Sequence, residues 1–426
     1  MFSIAIVPFV LAVQTQNPLP PVAAPDAFSE QTIAETLWQR SPELAQARSG
    51  LVEGEANRDR SHLLPNPTLG ATWATIPLGE RNPPDLPFWK VPNYGVQLGS
   101  TFEIGKRGPR QRAAEAGLHA ARFDLEDTYR QVFFAVMESL AGQAEAVARV
   151  AVLQRLANDG AESLRLQRAR AEHGDVAALE VDRLEVEHLR VLSQVQEATG
   201  VRDNALAACS RLLGAPCPLF HDEAEARRFL AQAEQVRPPS PDRVEERADV
   251  RALAAREQAA EAERILASRR TIPDPSVNIG YTRDQFVASG NQANSVNLAV
   301  TIPLPVFDHG QVDEVRARRL REHAAVTRQT LMTSARESVR LGQNQIDLLS
   351  RRAGVLDKDA VPRAQAVLDR TEAAARRGGV SLQEVLLARR ALEELQLDRV
   401  EVAAEHFRVL LDVRRAAGPP PPAPRR

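Results

Sequence analysis

Aromatic residues, sulfur-containing residues and net charge are all scarce in this chain of 426 residues. Phenylalanine, tryptophan and tyrosine together make up only 4% of the sequence. Large aromatic side chains dominate most globular cores. We therefore expect small and aliphatic side chains to pack along extended helices, and the helix formers Ala, Leu, Arg and Glu are plentiful. A formal charge of −2 at pH 7 gives no electrostatic reason to expect a nucleic-acid partner.

Long apolar runs are missing as well. No stretch of about 18 apolar residues follows the N-terminal region, which argues against a transmembrane helix, whereas the short alternating strands of a membrane barrel would escape this test. Residues 2–13 are apolar and have the length of a signal peptide, but no basic region precedes them. We expect residues 1–16 to be a signal peptide and residues 17–27 a linker. The alternative is a disordered or buried apolar end.

Only two cysteines are present, Cys209 and Cys217, on either side of a Gly-Ala-Pro turn. In an oxidising compartment they could form a disulfide, and otherwise they would remain two free thiols. Neither alternative is favoured by the spacing. No neighbouring His or Cys completes a tetrahedral set, so we expect no metal site and no bound cofactor.

The chain contains two copies of one plan. The decapeptide LPNPTLGATW, with Pro65 and Pro67, has a near-copy in IPDPSVNIGY, with Pro273 and Pro275. Further along, HGDVAALEV is matched by RGGVSLQEV at a similar spacing, and each half ends on a glycine. Matched segments at a nearly constant spacing indicate an internal duplication with a period too long for a solenoid.

Each half has the same order of parts. An amphipathic helical run comes first, followed by a Pro-x-Pro turn, a hairpin, a helical run, a glycine turn and a returning helix. Proline ends the first helix because it lacks a donor and restricts the residue before it. The long run has about 65 residues, or roughly 100 Å of helix. The expected boundaries are a first repeat 28–214 with hairpin 66–104, an inter-repeat segment 215–243, a second repeat 244–418 with hairpin 275–303, and a disordered tail 419–426.

The hairpin strands alternate apolar and polar residues. Leu69, Ala71 and Trp73 share one face of the first strand, and the other three strands repeat this pattern. Four strands cannot close a membrane barrel, since the smallest use eight, and open sheet edges in lipid are very costly. Either the sheet lies in water or several chains pool their strands. The long amphipathic helices favour pooling, because they bury their apolar stripes by standing side by side.

This order of parts resembles the outer-membrane efflux channel family typified by TolC, over almost the whole chain. The segments FEIGKRGPRQRAAEA and IPLPVFDHGQVDEVRA match the family's strand-to-helix entries, and the first is most similar to the heavy-metal (cobalt-zinc-cadmium type) branch. The resemblance implies a mostly α-helical homotrimer with a periplasmic α-barrel. Its twelve pooled strands would form a β-barrel in the bacterial outer membrane. It also implies a passive conduit for heavy-metal cations or drugs, coupled to a periplasmic adaptor (membrane fusion protein) and an inner-membrane pump of the RND type.

The resemblance also assigns sites. The four repeated prolines should mark the junction of tunnel and barrel. Adaptor contacts are expected at the periplasmic tip, on two matching triplets: Gly174, Asp175 and Val176, and Gly378, Gly379 and Val380. Acids follow at Glu180 and Glu384, and three copies of Glu384 would ring the entrance and favour cations. A further acid of the type member is replaced here by Leu387, and the alternative role of Glu384 is that of a solvated acid on a helix surface.

No arrangement of residues indicates an enzyme. The histidines are scattered, no Ser-His-Asp or Cys-His set is evident, and GKRGPR lacks the spacing of a phosphate-binding loop. Two other functions remain open. One is a soluble periplasmic coiled-coil scaffold, which would not need two lipid-length strand pairs. The other is the exit duct of a type I protein secretion system.

Overall fold

A computed structural model describes most of the chain. It covers residues 27–76, 78–80, 84–85, 87–90, 92–174, 176–284, 292–375, 377, 379–418 and 421. The predicted signal peptide, all but the last residue of the predicted linker, and nearly all of the predicted tail lie outside these residues.

The structure is mostly helical, with one small sheet, and the two halves repeat the same order of elements. This confirms the predicted architecture of a single chain. The helices are α1 (Glu30–Arg40), α2 (Pro42–His62), α3 (Arg107–Glu172), α4 (Ala178–Leu213), α5 (Glu223–Ala231), α6 (Ala248–Ser268), α7 (Gln311–Val355), α8 (Val361–Ala375) and α9 (Leu382–Ala417). The strands are β1 (Thr68–Ala74), β2 (Asn93–Thr101), β3 (Ser276–Arg283) and β4 (Asn294–Thr301). Within the described residues, no helix combines the length and the apolar character needed to cross a membrane.

The first long helix is continuous and the second is not. Helix α3 has 66 residues without interruption. In the second half, α7 passes through one π-helical turn, Leu356–Ala360, into α8. Pro362 accounts for this turn, because it has no N–H to donate and its ring crowds the carbonyl four residues earlier. A wider turn accommodates both effects.

The first amphipathic run is two helices and not one. Helix α1 ends at Arg40 and α2 begins at Pro42, with Ser41 in an extended conformation between them. Proline at the first position of a helix needs no donor, but it disfavours helical geometry in the residue before it. The expectation of one helical run in the first half was wrong at this point.

The four strands form one antiparallel sheet in the order β1-β2-β3-β4. Leu69 pairs with Leu98, Leu98 with Ile279, and Ile279 with Leu298, so one apolar row crosses all four strands. Strand β2 belongs to the first half and β3 to the second. The duplicated hairpins are thus joined side by side into a single surface.

The largest core lies midway along the helices, far in sequence from the hairpins. It joins the middle of α3 to α1 and to the C-terminal ends of α4, α7 and α9. Phe220 and Phe229 belong to this core and contact Phe28 and Phe407. The inter-repeat segment therefore contains a short helix, α5, that packs in the core. Cys209 and Cys217 are bonded beside it, with their Cα atoms 5.7 Å apart.

A buried network of arginines and acids at the C-terminal end of α9 links the two halves of the chain. Arg130 of α3 donates to Asp127 at 2.5 Å and to the backbone carbonyl of Arg415 at 2.7 Å. Arg247 binds Asp249 at 2.6 Å and the carbonyl of Ala416 at 2.8 Å. Burial alone would raise the pKa of Asp249, but its hydrogen bonds from Arg247 and the charges of Arg247 and Arg130 hold that pKa below its ordinary value. The last carbonyls of α9 are thereby satisfied by side chains from α3 and from the residue that precedes α6.

Candidate functional site

The apolar face of the sheet is uncovered in the single chain. Leu69 is 77% exposed, Val296 74% and Leu298 72%. Other large side chains of this face are also exposed: Trp73, Tyr94, Val96, Leu98, Ile279, Tyr281 and Val300. Soluble monomers rarely expose a contiguous apolar surface of this kind, so a nonaqueous environment or a partner must cover it.

Among the described residues, both outer edges of the same sheet are unpaired. There, strand β1 pairs only with β2, and β4 pairs only with β3. Each edge presents a row of backbone N–H and C=O groups that can pair with another chain. The apolar face and the free edges therefore occur on one four-stranded unit, at one end of the molecule.

The prolines of the repeated decapeptide mark the change from helix to strand in both halves. Strand β1 begins directly after Pro67, and β3 begins directly after Pro275. The second proline motif also holds the exit of β2, because the N–H of Phe102 donates to the carbonyl of Pro275 at 2.9 Å. Asp274 accepts from the N–H of Ile104 at 3.0 Å and from Lys106 Nζ at 2.7 Å.

The two halves are staggered across the sheet. The register places Thr68 opposite Gly99 and Gly99 opposite Asn278, whereas the sequence repeat matches Thr68 to Ser276. Two residues correspond to about 6.6 Å along a strand, and two strand spacings to about 9.6 Å. If the strands tilt by about 35° from the axis of a barrel, equivalent residues of the two halves lie at the same position along that axis. A tilt of this size is typical of closed barrels.

The glycine turn of the first half follows the end of α3. Gly174 adopts φ +83°, a conformation that side chains resist, and its N–H donates to the carbonyl of Ala171 at 3.0 Å. Asp175 lies outside the described residues. Val176 follows, and Glu180 is exposed in the first turn of α4.

The matching turn of the second half precedes α9. Gly378 lies outside the described residues, whereas the N–H of Gly379 donates to the carbonyl of Ala374 at 3.0 Å. Val380 follows, and Ser381 caps α9 by accepting the N–H of Glu384. Ser-Leu-Gln-Glu is the pattern of a capping box. Glu384 is exposed and stands in the first turn of its helix, where its backbone N–H is the group that Ser381 caps.

Two arginines near this end join the two long α-hairpins, and the sequence analysis did not identify them. Arg390 of α9 binds Glu187 of α4 at 2.7 Å. Arg389 binds Glu372 of α8 at 2.9 Å and reaches Ser163 of α3 at 3.5 Å. Single arginines on a helix face carry no signal of their partners in the sequence, since most are solvated.

One acid beside these arginines has an unusual environment. Burial raises the pKa of the Glu393 carboxyl to about 7, and the negative charges of Asp159 and Glu187 add to this effect against the opposing charges of Arg389 and Arg390. Asp159 belongs to α3 and Glu187 to α4, so Glu393 lies where α9 packs on the other hairpin. Its charge can therefore change near neutral pH.

In the described part of the chain, no group of three or more His, Cys, Asp or Glu side chains is arranged to hold a metal ion.

Several known proteins are similar to this chain in sequence or in structure. Residues 242–418, which include the predicted second repeat, match the model of the family described as outer membrane efflux protein. The chain is 25% identical over 340 residues to the cobalt-zinc-cadmium resistance protein CzcC of Cupriavidus metallidurans, which covers 76% of each chain. The Campylobacter jejuni CmeC outer membrane channel has a similar structure, with 15% identity, a TM-score of 0.74, and coverage of 91% of this chain and 85% of that one. The open state of the Neisseria gonorrhoeae MtrE outer membrane channel gives 15% identity, a TM-score of 0.73, and coverage of 93% and 90%.

Proposed function

We propose that the chain belongs to the outer membrane efflux protein family, whose model matches residues 242–418, and that three copies form the outer-membrane channel of a tripartite efflux system. One observation carries the proposal: a single sheet has both an uncovered apolar face and two unpaired edges. Closure with two other copies removes both defects at once, since it pairs every edge and turns the apolar face to lipid.

The stagger of the two halves supports closure into a barrel. Twelve strands tilted by about 35° lie within the range of known membrane barrels. The polar face, formed by Thr, Ser, Asn, Gln and small residues, would then line a water-filled lumen. The four prolines would stand where this lumen continues into the tunnel formed by the long helices.

The far end of the long helices is the proposed docking site for the periplasmic adaptor. Gly174 and Val176 on one turn, and Gly379 and Val380 on the other, would contact it, together with Asp175 and Gly378. The adaptor would connect the channel to an inner-membrane pump of the RND type. The localisation that follows is the outer membrane, with the helices in the periplasm and no catalytic activity in this chain.

The proposed cargo is heavy-metal cations. The similarity to CzcC, a cobalt-zinc-cadmium resistance protein, supports this choice. A conduit needs no cargo-binding pocket, because the pump supplies the work. Three copies of Glu384 at the entrance would raise the local concentration of cations.

A pair of adjacent substitutions tests the membrane role of the sheet. Leu298→Arg would place three arginines on the lipid face, at a cost of about 2–4 kcal/mol each near the middle of the bilayer. Asn297→Arg, one residue away, would point into water. We expect Asn297→Arg to remain in the membrane fraction after alkaline carbonate and to form channels in planar bilayers, and Leu298→Arg to do neither. Equal behaviour of the two variants, or release of the unmodified protein by carbonate, contradicts the proposal.

Resistance measurements test the cargo. Deletion of the gene should lower resistance to cobalt, zinc and cadmium, and the intact gene should restore it. Unchanged metal and drug resistance together with lost secretion of a protein would favour a type I exit duct. Glu384→Gln keeps the capping pattern, because glutamine serves at that helix position as well. The variant should reduce cation preference in planar bilayers, and unaltered preference would leave Glu384 as a solvated acid on the helix surface.

A further inference from the structure

The polar face of the sheet is a regular array of amides and glycines. One row across the four strands reads Gly70, Gln97, Gly280 and Asn297. In each step along this row an amide side chain stands next to a glycine on the neighbouring strand. The next row, toward the helices, reads Thr68, Gly99, Asn278 and Ala299 and again sets an amide beside a glycine.

The amides lie flat on the glycines. A Cβ atom placed on Gly280 would overlap Oδ1 of Asn297, and one placed on Gly99 would overlap Oδ1 of Asn278. At Gly70 the nearest atoms, from Gln97, would lie 3.0 Å away. The side chains thus occupy the space that a Cβ would fill. They extend along the sheet and not away from it.

A hydrogen bond holds one of these amides in place. Asn297 Nδ2 donates to Thr282 Oγ1 at 2.9 Å, along the surface of the sheet. One row below the amides, Thr101 Oγ1 and Ser276 Oγ are 2.9 Å apart. Side chains on this face therefore bond to each other and leave the space above the sheet open.

The same face of the four strands carries no ionisable side chain. The described residues that point to it are Thr68, Gly70, Thr72, Ala74, Asn93, Gly95, Gln97, Gly99, Thr101, Ser276, Asn278, Gly280, Thr282, Ser295, Asn297, Ala299 and Thr301. Amides and hydroxyls both donate and accept hydrogen bonds. They can replace water around cations and anions alike.

We propose that this amide–glycine array sets the width of the channel inside the membrane and makes that section indifferent to the sign of the cargo's charge. The inference rests on the proposed function, in which this face lines the lumen. Selection by charge then belongs to the helical part of the channel, and the membrane section selects by size alone. The glycines determine the width because they allow the amides to lie down.

Thiol labelling from one side of a planar bilayer tests the charge claim. Ser276→Cys places a thiol below both amide rows, and the two native cysteines are bonded to each other. A cationic and an anionic methanethiosulfonate of similar size are added on the loop side. Each rate is divided by the rate at Gly95→Cys, near the outer end. We expect the two ratios to agree within about twofold, and Asn297→Asp to favour the cationic reagent by at least about threefold.

A matched set of glycine substitutions tests the width claim. Gly280→Ala and Gly99→Ala should each lift an amide into the lumen. Gly95→Ala, on the same face, has no neighbouring atom closer than 3.6 Å to the added methyl. With a bulky polymer-linked maleimide, labelling of Cys at position 276 should slow severalfold in the first two variants and stay unchanged in Gly95→Ala.

The outcomes distinguish the claims about width and charge from the proposed channel function. Channel currents with equal labelling in Gly280→Ala and Gly95→Ala would overturn the width claim. Channel currents with a strong preference for one reagent in the unmodified array would overturn the charge claim. Absence of channel currents and of labelling from the loop side in every variant would instead overturn the proposed function.

Discussion

Glu393→Gln is the substitution whose effect depends most clearly on the environment seen in the structure. The Glu393 carboxyl is half-buried between α9 and the other hairpin, and it faces the acids Asp159 and Glu187. The two nearby arginines are already engaged, Arg389 with an acid of α8 and Arg390 with Glu187. The carboxyl therefore binds a proton more tightly in the folded protein than in the unfolded chain.

The direction and size of the effect follow from this difference. The pKa of Glu393 is about 7 in the folded state, against an ordinary value of 4.5. Because the folded state holds the proton more tightly, the stability that Glu393 contributes is fully present below pH 4.5 and is lost as the pH rises to 7. Above pH 7 this contribution no longer changes. The full difference corresponds to about 3 kcal/mol. Screening by water around a half-buried group reduces this to about 1–2 kcal/mol.

Thermal unfolding of the purified protein at pH 4.5 and pH 8 measures this effect. The uncharged Glu393→Gln should be more stable than the unmodified protein at pH 8 by about 1–2 kcal/mol, and nearly equal to it at pH 4.5. Glu401→Gln, an exposed acid on the same helix, is the control and should change little at either pH. Equal stability of Glu393→Gln and the unmodified protein at pH 8, or a gap that widens toward low pH, would refute the reasoning.

Three further predictions concern the helical part. Asp249→Asn should lower the free energy of unfolding by about 3 kcal/mol in denaturant titrations, since it leaves the buried Arg247 without its acid. Because the pKa of Asp249 is lowered, the difference from the unmodified protein should shrink only at acid pH, below 3.8. Replacing both Cys209 and Cys217 by Ser should cost about 2–3 kcal/mol, the value expected for so short a closed loop, and reducing agent should destabilise the unmodified protein equally. Gly342→Ala should destabilise the protein by about 1–3 kcal/mol, because its methyl would overlap a valine of α9. Gly200→Ala, which has open space around the added methyl, should stabilise it by about 0.5–1 kcal/mol. A change of the same sign in the free energy of unfolding of both variants would contradict the packing described.

The periodic parts of the fold were predictable from the sequence. A strand period of two placed Leu69, Val96 and Leu298 on one face, and the structure pairs their strands in that arrangement. Glycine at a helix end was equally informative, since Gly214 and Gly418 adopt φ +63° and +95° after α4 and α9. Such features depend on neighbours in sequence, and short-range rules describe them well.

In the inter-repeat segment these rules predict more than its bounds. Helix α5 lies within it. Asp222 caps this helix by accepting the N–H of Glu225 at 2.8 Å. That pair is readable from the sequence as a helix start. The packing of Phe229 into the core depends on contacts with distant helices and could not be read in the same way.

The candidate site was predictable only in part. The repeat located the turn at Gly174 and the starts of β1 and β3 after Pro67 and Pro275, whereas the roles assigned to these residues stay predictions. The capping of α9 by Ser381 could have been predicted from the letters SLQE. The links made by Arg389 and Arg390 were not predictable, because their partners lie on other helices up to 226 positions away. Likewise the amides of the sheet lie on glycines of neighbouring strands, which only the register reveals.

The two open edges of the sheet also have a kinetic consequence. In the proposed trimer, the outer strands β1 and β4 of each chain would pair with strands of the other two copies. The rate of barrel formation should therefore rise more steeply than linearly with the concentration of chains. At low expression, the unpaired N–H and C=O groups of β1 and β4 would stay exposed for longer before assembly. Chains in this state are the most prone to aggregation and proteolysis. The yield of folded channel per chain should thus fall when expression is reduced.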